Sequence, residues 1–371
     1  MERLTLTPRN DWRRRAEEIG FAFHTIGGKP YWDETAAYLF TADEIDAIDD
    51  ATAELERLCL AAVDKVVNEN LFAPFAIGDA AAKLARDSWR AGERNLYGRF
   101  DLRVAPGEPP KLYEYNADTP TALFEASVVQ WEWLATVYPG DDQFNSIHEK
   151  LIAAWPQLKL PGNRLHFTCV RDHDEDRGTV DYLRDTAIQA GLDTQFLFID
   201  ELGWNGLAFT DLEEQKIEAL FKLYPWEWLM HEEFAANIRP GVMRVIEPAW
   251  KMVLSNKAIL SLLWHMFPDH PNLLPAYLEP GKIAGPAVAK PLLGREGEDI
   301  RQVAGAEKGK PGEYGAEGFV YQALAPLPQF GGRHPVVGSW VIASQPAGIG
   351  IREDDDPITR NTSRFVPHLF R

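Results

Sequence analysis

Positive charge is scarce in this sequence. Lys and Arg number 38 against 56 Asp and Glu, a net charge of −18. Without a basic excess there are no counterions to release from a polyanion, so nucleic acid is excluded as the expected partner. Cysteine is scarcer still. Cys59 and Cys169 lie far apart, in helix-like and strand-like contexts, and read as buried free thiols of a reducing compartment. No run of about 18 apolar residues exists and the N-terminal segment has no apolar signal region, so the expectation is a cytoplasmic protein with no membrane partner. Nine histidines form no HExxH and no Cys/His zinc spacing, and GxSxG and Walker patterns are missing as well. His166, on a strand, reads as core. No internal repeat is evident, and the twelve tryptophans read as packing.

What is present suits a folded α/β chain. With 45% hydrophobic and 25% charged residues, 371 residues can form one large or two to three medium domains. A helix is expected over 10–19, stopped by Gly20. Thr41 with Glu44 makes a capping box ahead of Ile45, Ile48, Leu55, Leu58, Ala62, Val63 and Val66 at helical spacing. Further helices are expected over 79–92 and 123–138. Residues 161–204 read as a βαβ unit: strand 165–170, helix 178–190, strand 194–199. The run Asp172-His173-Asp174-Glu175-Asp176 sits at the carboxyl end of its first strand. It reads either as a solvated acidic loop or as a receiver of a cationic amine. Residues 212–234 read as helical, broken at Pro225.

The stretch from Tyr97 to Thr121 carries the densest chemistry. Two strands joined by a Pro/Gly turn (residues 105–110) put Arg99 and Asp101 on one face and Phe100 and Leu102 on the other. Glu114 and Asn116 share a face opposite Tyr113 and Tyr115. If the strands pair, one face gathers an arginine, two carboxylates and a carboxamide. Such oxygens suit Mg²⁺, and an arginine fork suits a phosphoryl group. The spacing alone fits a solvated, salt-bridged hairpin equally well. Later in the chain Ser255 reads as the N-cap of an apolar helix over 258–267. Lys257 then falls in the first turn, where the helix dipole favours a bound anion nearby. Lys290 ends a strand and is followed by Gly294-Arg295-Glu296-Gly297, a loop that could let backbone N–H groups approach phosphate or could be a plain surface turn. Strands are expected over 318–324 and 336–343, a glycine-rich loop over 345–350, and a docked apolar tail over 363–370.

Arg99-x-Asp101 followed by Tyr-Glu114-Tyr-Asn116-Ala-Asp-Thr119-x-Thr121 resembles the signature of the glutathionylspermidine synthase family. Blocks in the same order span nearly the whole chain: Tyr31-Trp32-Asp33-Glu34, Ser255-Asn256-Lys257, Lys290-Pro291, Gly294 to Gly297, Gln322, Gly338-Ser339-Trp340, Gln345 to Gly348 and Ile351-Arg352-Glu353. The resemblance implies an α/β ATP-grasp fold with a preceding Rossmann-like pre-ATP-grasp domain. It implies ATP and two Mg²⁺ ions, with Asp101, Glu114 and Asn116 as metal ligands and Glu114 between the ions. It implies Arg99 and Arg352 as catalytic, stabilising charge on the transferred phosphoryl group. Nucleotide contacts are implied for Arg99, Phe100, Asp101, Lys257, Lys290, Gly294, Arg295, Glu296 and Gly297. Gln322, Ala323 and Leu324 would form the adenine-reading hinge. Thr119 and Thr121 would hold the acid substrate.

The implied activity is ATP-dependent coupling of a small-molecule or peptide carboxylate to an amine, a polyamine among the candidates. A carboxylate kinase or ATPase, and a non-catalytic nucleotide- or polyamine-binding protein, are the other readings. Leu223 stands where the family's synthases carry a threonine that contacts glutathione, which removes one hydrogen bond to that peptide. Bifunctional members add an amidase domain. No Cys/His hydrolase pair is evident here, so amide hydrolysis is not expected. The expected division is 1–95 mainly helical, 96–140 hairpin and helix, 141–250 pre-ATP-grasp-like α/β, and 251–371 nucleotide-binding, the last sharing 96–140.

Overall fold

The computed structural model describes residues 1–360 and 363–371. Three sheets surround the site. A five-stranded antiparallel sheet runs, edge to edge, Arg364–Val366, Gln345–Asp354, His334–Ile342, Tyr97–Arg103, Lys111–Asn116. A four-stranded antiparallel sheet runs Ala276–Tyr277, Phe319–Ala323, Ala287–Pro291, Arg301–Val303. A four-stranded parallel sheet runs Arg244–Ile246, Ala219–Leu223, Arg164–Cys169, Asp193–Phe196. The two chain ends meet in a smaller sheet, where Ala36–Phe40 pairs with Glu2–Thr5 and with His368–Phe370. The tail therefore docks as its apolar pattern predicts.

The long helix, Ala42–Glu69, starts at Thr41 with the expected reciprocal cap: Thr41 accepts from the Glu44 N–H at 3.2 Å, and Glu44 accepts from the Thr41 N–H at 3.0 Å. It covers the back of the five-stranded sheet. The Tyr115 hydroxyl donates to Glu56 at 2.8 Å, and the Thr52 and Ser339 hydroxyls meet at 2.6 Å. That leaves the front face of the hairpin free. The helix over 123–138 opens as a π-helical turn, Glu125–Val129, before continuing as Gln130–Val137.

Four expectations are corrected. Residues 212–234 are not helical: they hold the buried strand Ala219–Leu223 and a short helix, Trp226–Leu229. A strand covered on both faces has no polar alternation, so its period cannot be told from a helix. Residues 345–350 are strand rather than loop. Their glycines serve close approach: a Cβ on Gly350 would lie 2.7 Å from the Phe365 ring, and one on Gly348 2.8 Å from the Phe144 carbonyl oxygen. The helix after the first parallel strand begins at Asp174 rather than 178, because His173 caps it, Nδ1 accepting from the Asp176 N–H at 3.2 Å. Ser255 does not cap the Ile259–Met266 helix; the Asn256 side chain accepts from the Ala258 N–H at 2.9 Å instead.

Buried charge ties the parallel sheet to the hairpin. Lys222, in the middle of that sheet, donates to Asp118 at 2.7 Å and to the Tyr224 carbonyl at 2.9 Å, while the second Asp118 oxygen accepts from the Trp226 N–H at 2.8 Å. Both side chains are almost wholly buried. Removing one partner leaves the other charged in a dry environment. Lys222→Ala is therefore expected to cost about 3–5 kcal/mol in urea unfolding. A cost below about 1 kcal/mol, the range of exposed pairs, would contradict that reading of the pair.

Candidate active site

A cavity of about 390 Å³ opens between the three sheets. The front face of the Tyr97–Arg103/Lys111–Asn116 hairpin forms its floor. Register pairs Arg99 with Asn116 and Asp101 with Glu114, so all four line the cavity as the alternation predicts. Arg99 lies along the sheet. Its Nε donates to Asp101 at 2.7 Å and its Nη1 to the Thr121 carbonyl at 2.7 Å. Gly338 on the next strand makes this possible, since a Cβ there would stand 2.8 Å from Arg99 Cδ.

Two predicted placements fail. Phe100 does not reach the cavity; it is fully buried behind the sheet, its ring stacked on Tyr115 at 3.9 Å. Period-2 alternation already put it there, and that physical constraint prevails over the implied nucleotide contact. Tyr113 was expected on the back face, yet it lines the cavity. A bulge between Asp101 and Leu102 makes Tyr113 the extra residue, and its hydroxyl bonds the Ala325 carbonyl.

Distant segments bring the cations. Lys257 Nζ lies 3.2 Å from Glu114 and donates to the Gly294 carbonyl at 2.6 Å. Lys290 Nζ donates to the Tyr113 carbonyl at 2.9 Å and to Gln322 at 2.7 Å. Burial opposes a charge on Glu114, but the Lys257 and Lys290 ammonium groups outweigh it and hold the carboxyl below its ordinary range. Burial pushes Lys290 down to about 8, against the pull of Glu114. Arg352 reaches in from the Gln345–Asp354 strand, 3.6 Å from Asp101. It does not pair with the acidic run that follows it: Asp354 accepts from Ser363, Asp355 pairs with Arg333, and Asp356 with Arg360.

The Gly294–Gly297 loop borders the cavity beside Thr119 and Thr121. Arg295 crosses it, donating to the Thr119 hydroxyl at 2.9 Å and to Glu227 at 2.6 Å, over the Trp228 ring. Gln322, Ala323 and Leu324 line the far end. The N–H groups of Ala323 and Leu324 already donate to the Pro275 and Pro286 carbonyls. Opposite stand the carboxyl ends of the parallel strands: Val170, His173, Glu175, Asp176 and Leu223 line the cavity. The acidic run is thus split, with Asp172 and Asp174 turned away. Sequence reasoning singled out neither Glu227 nor Trp228 as site residues; nothing local marks them, because their role depends on a loop 68 positions away.

The donor set fits magnesium. Among the described residues no group of three His, Cys, Asp or Glu side chains could hold a metal ion. The hairpin offers two carboxylates and a carboxamide. The Asn116 amide stands 3.3 Å from an Asp101 oxygen and 3.3 Å from a Glu114 oxygen, so all three converge on one place. Mg²⁺ takes oxygen ligands and keeps water and phosphate in its shell, so a partial protein set is what it uses.

Sequence comparison decides the family. The glutathionylspermidine synthase preATP-grasp profile matches residues 3–371. The chain belongs to that family. It is 43% identical, over all of both chains, to a Haemophilus influenzae protein named "Putative acid–amine ligase". It is 28% identical to the trypanothione synthetase of Crithidia fasciculata, matching 84% of this chain but only 53% of that longer protein. A glutathione synthetase-like effector of Globodera pallida shares the fold, with a TM-score of 0.54 at 11% identity over 90% of this chain and 88% of that one. The architecture is an ATP-grasp α/β fold.

Arg295 holds its loop through one ion pair, and both partners are partly exposed. Glu227→Gln is expected to raise amide hydrogen exchange over residues 294–300 several-fold while the sheets stay protected. Unchanged exchange there would mean that the ion pair does not hold the loop.

Proposed function

We propose that the protein is an ATP- and magnesium-dependent acid–amine ligase. The observation that carries this reading is the convergence of the hairpin oxygens Asp101, Glu114 and Asn116 with Lys257, Lys290 and Arg352 on one cavity. An unactivated carboxylate is a poor acyl donor. In the proposed reaction its oxygen takes the γ-phosphoryl group of ATP, releasing ADP and giving an acylphosphate. The amine nitrogen then attacks the acyl carbon, and the C–O bond to phosphate breaks.

Catalysis of such a transfer is mainly positioning and charge neutralisation. Lys257 and Lys290 hold the phosphates. Arg99 and Arg352 offset charge where the phosphoryl group passes. Asp101, Glu114 and Asn116 would hold magnesium, which would supply the remaining positive charge to the phosphate oxygens. The Gly294–Gly297 loop shields the site from water, with Arg295 fastening it to Thr119 and Glu227. Gln322, Ala323 and Leu324 border the base, which draws on groups other than the two engaged N–H donors. Thr119 and Thr121 face the acid. Glu175 and Asp176 give the opposite wall a negative character suited to a cationic amine.

The experiment is a screen of peptides and amines for ATP-dependent amide formation by mass spectrometry, with phosphate release read in parallel. Release without an amide would favour a carboxylate kinase or ATPase; no release would favour a binding protein. Glu114→Ala is expected to lower phosphate release by a hundredfold or more, roughly 3 kcal/mol of transition-state stabilisation, while nucleotide still binds weakly. Unchanged turnover would contradict the metal assignment. Glutathione with spermidine is expected to be a poor pair, because Leu223 offers no hydrogen bond at the cavity wall; brisk coupling of the two would refute this.

A further inference from the structure

The guanidinium of Arg295 is only partly matched. Its Nη2 donates to Glu227 at 2.6 Å and its Nη1 to the Thr119 hydroxyl at 2.9 Å, while Nε is buried with no acceptor. Nε and Nη2 form one edge of the arginine fork, an edge that a carboxylate can take with both oxygens. Arg3 shows the full arrangement in this protein: its Nε and Nη2 meet the two Glu353 oxygens at 2.8 and 2.7 Å. Glu227 takes only half of the same edge on Arg295. A buried donor left bare costs free energy, so a carboxylate that fills the edge is favoured over one that half fills it.

The surroundings of this guanidinium are apolar. Its carbon stands 5.4 Å from the centroid of the Trp228 ring, which lines the cavity and is 41% exposed. Val170, Leu223 and Pro225 line the same cavity. Asp118 joins this wall to its neighbour Thr119, since it accepts from the Trp226 N–H and from Lys222. At the other end of the Thr119-Pro120-Thr121 segment, Arg99 donates to the Thr121 carbonyl at 2.7 Å. Two guanidinium groups thus hold the ends of a segment that spans at most about 7 Å. Glu175 and Asp176 on this wall repel anions, so an anion bound here depends on Arg295.

We infer that Arg295 selects the acid substrate, and that this acid carries two carboxylates joined by a short apolar chain. The inference rests on the ligase reading and names its acid. One carboxylate lies near Arg99 and Arg352 and takes the phosphoryl group. The other fills the Nε–Nη2 edge of Arg295 and displaces Glu227, and the chain between them lies against Trp228 and Leu223. Glu227 is a placeholder. It keeps the guanidinium paired before the acid arrives, and it lowers affinity because it must leave. A monocarboxylic acid of the same length leaves Glu227 in place and gains nothing from Arg295.

Equilibrium binding tests this without turnover, so it can fail while the ligase reading stands. The probes are unbranched dicarboxylates of about four to eight carbons and their monoamides, titrated calorimetrically with magnesium and a non-hydrolysable ATP analogue. At least one dicarboxylate is expected to bind about tenfold tighter than its monoamide, or more. Glu227→Gln is expected to tighten that dicarboxylate several-fold and to leave the monoamide unchanged. Arg295→Gln is expected to bring the two to the same affinity. If Glu227 only held the loop, its loss would shift both probes alike, and that result overturns the inference. So does a wild-type series in which no dicarboxylate outbinds its monoamide, whether or not either variant folds.

Discussion

The charge on Glu114 is the constraint on which the site depends. A half-buried carboxylate keeps its charge where cations face it, and here both come from far along the chain: Lys257 from the approach to a helix and Lys290 from the end of a strand. Lys290 depends on the carboxylate in turn, since burial holds it down to about 8 even with Glu114 pulling it up. The hairpin and the late segments therefore stabilise one another only when assembled. That mutual need draws residues of the first and last thirds of the chain around one cavity. It also leaves a cluster of fixed positive groups where a polyphosphate could lie, without leaving any of them unpaired in its absence.

The back of the hairpin makes this geometry rigid. Phe100 and Tyr115 stack there under the Ala42–Glu69 helix, and Tyr115 is fixed by its bond to Glu56. With one face locked into the core, the register of the two strands cannot slip without turning the polar set inward. The bulge is the single departure, and it moves Tyr113 from the covered face to the open one. Gly338 complements it from the neighbouring strand by giving Arg99 room to lie flat against Asp101.

The second wall of the cavity follows a different rule. Parallel strands end together, and their carboxyl ends leave a crevice that loops and helix starts can line. In this protein that edge is acidic at Glu175 and Asp176 and apolar at Val170 and Leu223. The buried Lys222–Asp118 pair holds this wall against the exit of the hairpin. A wall of phosphate-attracting cations thus faces a wall that repels anions, which gives the two ends of the cavity different tasks in the proposed reaction.

Local pattern by itself determined much. The capping box at Thr41, the βαβ unit, the docked tail and the polar face of the hairpin follow from periodicity and cap chemistry, because each depends on neighbours within a few positions. Motif order was enough to indicate the family. Tertiary structure alone decided the rest. Residues 212–234 read as helix and form a strand, since burial on both faces erases the alternation that would mark one. The glycines of 345–350 read as loop and serve instead to let a strand pack closely. Tyr113 changed faces through a bulge that no residue type announces. The partners of Arg295 and Arg352 lie tens to hundreds of positions away, so no spacing rule reaches them. Contacts of that range are set by which surfaces must be buried together, and only the folded chain states which those are.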